Sequence, residues 1–136
     1  MNGLVLKLAP GERVLVNGAV IENGDRRTRL TLITPNANVL RLRDAIHPDE
    51  VNTPVRRVCY IAQLAVAGEA DPEEARRQVL TGIDQLSGVF TDAESVASLD
   101  TAASHAVNGR FYPALRALRS LLPREAQLMA AALVAS

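Results

Sequence analysis

A chain of 136 residues, 48% apolar and 22% charged, has room for one domain or two small modules and is too apolar for wholesale disorder. Its fifteen Lys/Arg balance fifteen Asp/Glu, yet residues 1–57 carry nine basic and six acidic side chains and residues 58–136 carry six and nine. Its apolar stretches fall short of the roughly 18 residues needed to span a bilayer, no secretory leader is evident, and a lone cysteine, Cys59, suits a reducing compartment, so the sequence predicts a soluble cytoplasmic protein.

Residues 3–46 read as strands. In "GLVLKL" Leu4, Leu6 and Leu8 alternate with Val5 and Lys7, "APG" turns the chain, and "ERVLV" follows. Asn17-Gly18 and Asn23-Gly24 are hairpin dipeptides, since both residue types tolerate positive φ. "AVIE" lies between them, "DRRTRLTLI" follows, and Thr34-Pro35-Asn36 breaks the chain before "VLRLRDAI". In that last segment the alternation turns Leu40 and Leu42 inward and leaves Val39, Arg41 and Arg43 on the opposite face. The prediction is about five short strands in an antiparallel meander or small barrel, a β module at residues 1–50.

The apolar period then changes to three and four. Thr53-Pro54 starts a helix that runs to Gly68, and Asp71-Pro72-Glu73-Glu74 starts a second with Val79, Ile83, Leu86 and Phe90 as its inner stripe. Thr91 or Asp92 caps a third helix carrying Val96, Leu99, Ala103 and Ala106, closed near Asn108-Gly109. Tyr112, Leu115, Leu118 and Leu122 mark a fourth, and 124–135 an alanine-rich fifth. The fold class is therefore α+β: a small β module, then a bundle of four to five helices at 51–136. So short a β module buries too little surface to be secure alone, so it is expected to lean on the helices or on a second copy of itself.

No constellation selects an enzyme. His47 and His105 are isolated from any ligand or nucleophile partner, and Cys59 shares the inner stripe of its helix with Val55 and Ala62. The glycines at 11, 18 and 24 punctuate turns and open no phosphate-cradling helix. Neither a cofactor nor a metal is expected.

The β module does collect cations. Arg26, Arg27 and Arg29 cluster in "GDRRTR", Arg41 and Arg43 lie on the last strand, Lys7 on the first and Arg13 on the second. Exposed sheet faces commonly carry charge, which also blunts edge aggregation. Arginine additionally offers a planar fork that matches phosphate and guanine. All four aromatics, Tyr60, Phe90, Phe111 and Tyr112, fall in the helical half, so the sheet has no ring on which to stack bases. Any RNA contact must use Lys7, Arg26, Arg27, Arg29, Arg41 and Arg43 together with backbone groups.

"LKLAPGERVLVNGAVIENGDRR", followed by "NVLR" and "TPVRRVCYIAQL", resembles the FlbT family of flagellin-synthesis regulators of alphaproteobacteria. The likeness is close in the N-terminal half and rests beyond residue 70 on length and helical character. It implies a post-transcriptional regulator that acts on the 5′ leader of flagellin mRNA, limiting its translation or stability, with interplay with the FlaF family and flagellin. Aligned on Gly11-Glu12, the β module is also similar to the carbon-storage regulator CsrA. That likeness places an RNA-contacting strand arginine at Arg43 and a first-strand leucine at Leu6, while Leu8 stands where the other family has a first-strand arginine. CsrA proteins are intertwined dimers pairing first and last strands across chains, so the likeness implies a homodimer or higher homo-oligomer through the β module, bringing Lys7 and Arg43 together. The competing expectation is a protein-interaction adaptor whose helices dock FlaF or flagellin, with Phe90, Phe111 and Tyr112 as anchors.

Overall fold

The computed structural model describes residues 3–17, 19–35 and 37–135. Gly18 and Asn36, both assigned to turns from sequence, lie outside the described residues. The chain forms two compact units, Met1–Ala45 and Ile46–Ser136.

The first unit holds β1 (Leu4–Leu8), β2 (Arg13–Val16), β3 (Ala19–Glu22), β4 (Thr28–Leu32) and β5 (Val39–Arg41). All pairings are antiparallel, but the strands form two small sheets rather than a meander: β1–β4 and β3–β2–β5. Among these pairs only β2–β3 is a sequential hairpin; there Val16 opposes Ala19, and Asn17 takes a left-handed φ of 48° as its dipeptide predicts. Asn23-Gly24 behaves differently. Neither residue has positive φ, and β3 does not pair with β4. Instead the Asn23 side-chain amide donates to the carbonyls of Ala9 and Arg26, both at 2.8 Å, and its backbone N–H donates to Glu12 O, also at 2.8 Å. The asparagine is thus a clamp on the β1–β2 turn, not a hairpin residue.

Side chains from the two sheets meet in one apolar layer of Leu6, Leu8, Val14 and Val39, flanked by half-buried Val16, Ile21, Leu30 and Leu32. This corrects the assignment of the last strand. Val39 and Leu40 are both buried, because Val39 faces the inter-sheet layer while Leu40 opposes Leu15 on the other side. The strand also ends at Arg41, and Leu42–Asp44 close into a single 3-10 turn, so the alternation stops before Arg43.

The second unit contains α1 (Pro54–Val66), α2 (Pro72–Ser87), α3 (Ala93–Val107), α4 (Phe111–Arg119) and α5 (Leu122–Ala135). The predicted caps are in place: Thr53, Asp71 and Asp92 accept from the backbone N–H of Arg56, Glu74 and Ser95. Val79, Ile83 and Leu86 are buried as their spacing predicts, and Phe90 is buried too but lies beyond the end of α2 at Ser87. On α3 the inner stripe is shifted to Ser95, Leu99, Ala102 and Ala106, and Val96 is 40% exposed. Ser95 can be buried because its hydroxyl donates to the Asp92 carboxylate at 2.9 Å.

Two polar contacts complete this unit. Glu125, on the first turn of α5, is buried and accepts the Val55 N–H at 2.9 Å. At the N-terminus of α1, Pro54 has no N–H, and Arg56 and Arg57 donate to the Thr53 side chain and carbonyl, so Glu125 takes the orphan that remains. Gln63 of α1 grips Ile46 on both sides of its peptide, accepting from its N–H at 2.8 Å and donating to its carbonyl at 3.0 Å. The segment after Ala45, assigned from sequence to the β module, is thereby tied to the helices.

Candidate nucleic-acid interface

The turn between β1 and β2 organises the cationic residues. Gly11 turns the chain with φ 71°, and Glu12 folds back so that its Oε1 accepts the Ala9 N–H at 2.9 Å. Its Oε2 receives Arg41 at 2.6 Å and lies 3.8 Å from Arg43. Arg41 also donates to the Lys7 carbonyl at 3.2 Å. With its side chain only 21% exposed and one guanidinium nitrogen shared between the Lys7 carbonyl and Glu12, Arg41 is a brace that fixes β5 to β1 and to the turn. Arg43, 61% exposed, stays oriented by Glu12 yet open to solvent.

Beside this brace lies a hollow of about 340 Å³. Lys7, Arg27, Arg29 and Arg43 line it, with Glu12 as its acidic member. Lys7 of β1 stands directly opposite Arg29 of β4, so two exposed cations share one face of a two-stranded sheet. Like charges in that position are destabilising unless an anion sits between them. Of the six residues singled out in the sequence, four therefore converge on one surface. Arg41 supports it from beneath. Arg26 is exposed but is not among the lining residues; its carbonyl serves the Asn23 clamp. A further cation of the unit, Arg13, is paired with Glu22 at 2.8 Å.

Glu12 and Asn23, which organise this surface, are the residues that sequence reasoning passed over. Each sits in a turn, where its residue type already had a local explanation. Glu12 titrates below the ordinary carboxylate value of 4.5, chiefly because it accepts the Ala9 N–H, and then through the hydrogen bond and positive charge of Arg41 and the charge of Arg43. A lowered folded-state pKa contributes stability that is present above pH 4.5 and is lost as the pH falls through the folded value. As the pH falls through that folded value, which lies below 4.5, the brace is therefore expected to release Arg41 and Arg43. An acid titration followed by NMR at the Ala9 amide should report the release, and Glu12→Gln should abolish that transition; an identical titration in the variant would separate the brace from Glu12.

The remaining candidates stay structural. His47 Nδ1 accepts the Asp49 N–H at 3.3 Å and caps a single turn at Pro48–Glu50. Cys59 is fully buried, and burial pushes its thiol up to about 12. Phe90, proposed from sequence as a partner anchor, is 2% exposed and belongs to the bundle core; Phe111 and Tyr112 are half-buried. Among the described residues no group of three His, Cys, Asp or Glu could hold a metal ion, and no helix is long and apolar enough to cross a membrane.

Comparison with known proteins covers both units. The family described as "Flagellar protein FlbT" matches residues 4–129. A relative from Caulobacter sp. (strain K31), named a probable flagellum biosynthesis repressor protein FlbT, is 34% identical over 124 residues, spanning 91% of this chain and 94% of that one. The flagellum biosynthesis repressor protein FlbT of Caulobacter vibrioides (strain CB 15) is 33% identical over 122 residues, 90% of this chain and 86% of that one. A probable counterpart from Brucella abortus (strain S19) is 33% identical over 126 residues, 93% and 82% of the two chains. No solved structure matches the chain significantly.

Proposed function

The chain belongs to the FlbT family of flagellar proteins, and from that membership we propose that it is a cytoplasmic post-transcriptional regulator of flagellin synthesis whose β unit binds the 5′ leader of flagellin mRNA. Binding limits translation or stability of the message by occluding it or exposing it to nucleases, with no chemistry performed by this chain. The observation that carries this reading is the convergence of Lys7, Arg27, Arg29 and Arg43 on one hollow. Four clustered cations suit a phosphodiester backbone, and the exposed fork of Arg43 suits a base edge. Repression is the direction favoured by the names of the Caulobacter and Brucella relatives.

Self-association through the β unit belongs to the same reading. Among the described strands β1 pairs only with β4 and β5 only with β2, so each keeps an edge to offer a second copy. Lys7 and Arg43 already share one hollow within a single chain, so a dimer would add a second binding surface instead of completing the first. The half-buried Phe111 and Tyr112 favour a second reading, an adaptor that engages FlaF or flagellin through the helical unit and acts on the message indirectly.

The test is a gel shift with purified protein and transcripts carrying or lacking the flagellin leader. Arg43→Ala is expected to weaken leader binding while leaving the circular dichroism unchanged. Arg41→Ala should weaken binding and loosen the fold together, since it strips the Lys7 carbonyl and Glu12 of their donor. Equal retention of both transcripts would favour the adaptor.

A further inference from the structure

In the helical unit, α1 and α2 leave an open groove of about 450 Å³ along their junction. Half-buried Ile61 and buried Leu86 give it an apolar floor, and exposed Arg57, Arg77, Gln78 and Gln85 form its rim. None of its lining residues is acidic, although the unit as a whole carries eleven Asp/Glu against eight Lys/Arg. Arg77 is paired with Glu74, whereas Arg57 has no carboxylate within 4.0 Å among the described residues.

We infer that this groove receives an acidic amphipathic helix of a partner protein, its apolar stripe on Ile61 and Leu86 and its carboxylates on Arg57 and Arg77. A channel between two helices is the shape that accepts a third, read by anchors at i, i+3, i+4 and i+7. The charge pattern selects the occupant. The lining carries two arginines and no carboxylate, so an acidic helix complements it and a basic one does not. The inference concerns the helical unit alone and stands whether or not the β unit binds RNA.

The test uses the whole protein and a fluorescent synthetic helix of about 18 residues, with leucines at those four spacings and glutamates flanking them. A twin peptide carries lysines in place of the glutamates. Fluorescence anisotropy is expected to show saturable binding of the glutamate peptide, at least about tenfold weaker for the lysine twin and for Arg57→Glu. Thr81→Trp, an exposed groove residue, should block binding by filling the channel. Arg57→Gln provides a milder variant should the charge reversal perturb folding. Equal affinity for both peptides, or unchanged binding by the variants, would overturn the inference. A change in sedimentation on Arg57→Glu would assign the groove to a second copy, and loss of leader binding would assign it to nucleic acid; either result also overturns it.

Discussion

Replacing Lys7 and Arg29 together by alanine is expected to cut leader-RNA affinity about a hundredfold, at roughly 1.4 kcal/mol for each cation removed. The same change should leave the β unit as stable as before or slightly more stable. The opposite signs follow from the register. The two cations are direct cross-strand partners, a repulsive arrangement in the free protein that becomes favourable once a phosphate bridges them. Salt supplies the independent readout. Each phosphate neutralised on a single strand contributes about 0.7 to the slope of log affinity against log salt, so the double variant should lose about 1.4. A drop in affinity with an unchanged slope would show that these side chains do not neutralise phosphate. Destabilisation would show that they serve the fold.

Glu125→Ala is expected to destabilise the helical unit by about 1–3 kcal/mol, because it leaves the buried Val55 N–H without an acceptor. Alanine is the best helix former, so propensity cannot account for a loss at this position. Glu125→Gln should retain much of the stability, since an amide oxygen can still accept, while forgoing the attraction of a carboxylate to a helix N-terminus. Urea unfolding of the three proteins separates these contributions. Indistinguishable midpoints for alanine and wild type would mean that water replaces the carboxylate.

The sequence made the helical half legible because its signals are local. Thr53-Pro54, Asp71-Pro72 and Asp92 cap helices within three residues of themselves, and period-3.6 spacing marks the buried face of α2. Even there Glu125 was invisible as a cap, since its partner lies 70 residues away. The β half was legible in its strands and opaque in its pairing. Asn23-Gly24 has the composition of a tight hairpin, but three-way hydrogen bonding by the Asn23 amide sends the chain across to the other sheet. The cationic cluster could be picked out by residue type. Its division into Arg41 as brace and Lys7, Arg27, Arg29 and Arg43 as an open surface depends on Glu12, whose reach to Arg41 spans 29 positions.

The grip of Gln63 on Ile46 decides where this protein tolerates a change of length. A side-chain amide that imitates a peptide partner anchors the start of the helical unit at Ile46, so extra residues spliced just ahead of it would leave that grip intact. The same residues spliced just behind it would have to break the grip or loop out. Spacer engineering therefore has a preferred insertion point, just ahead of Ile46, that spares this grip.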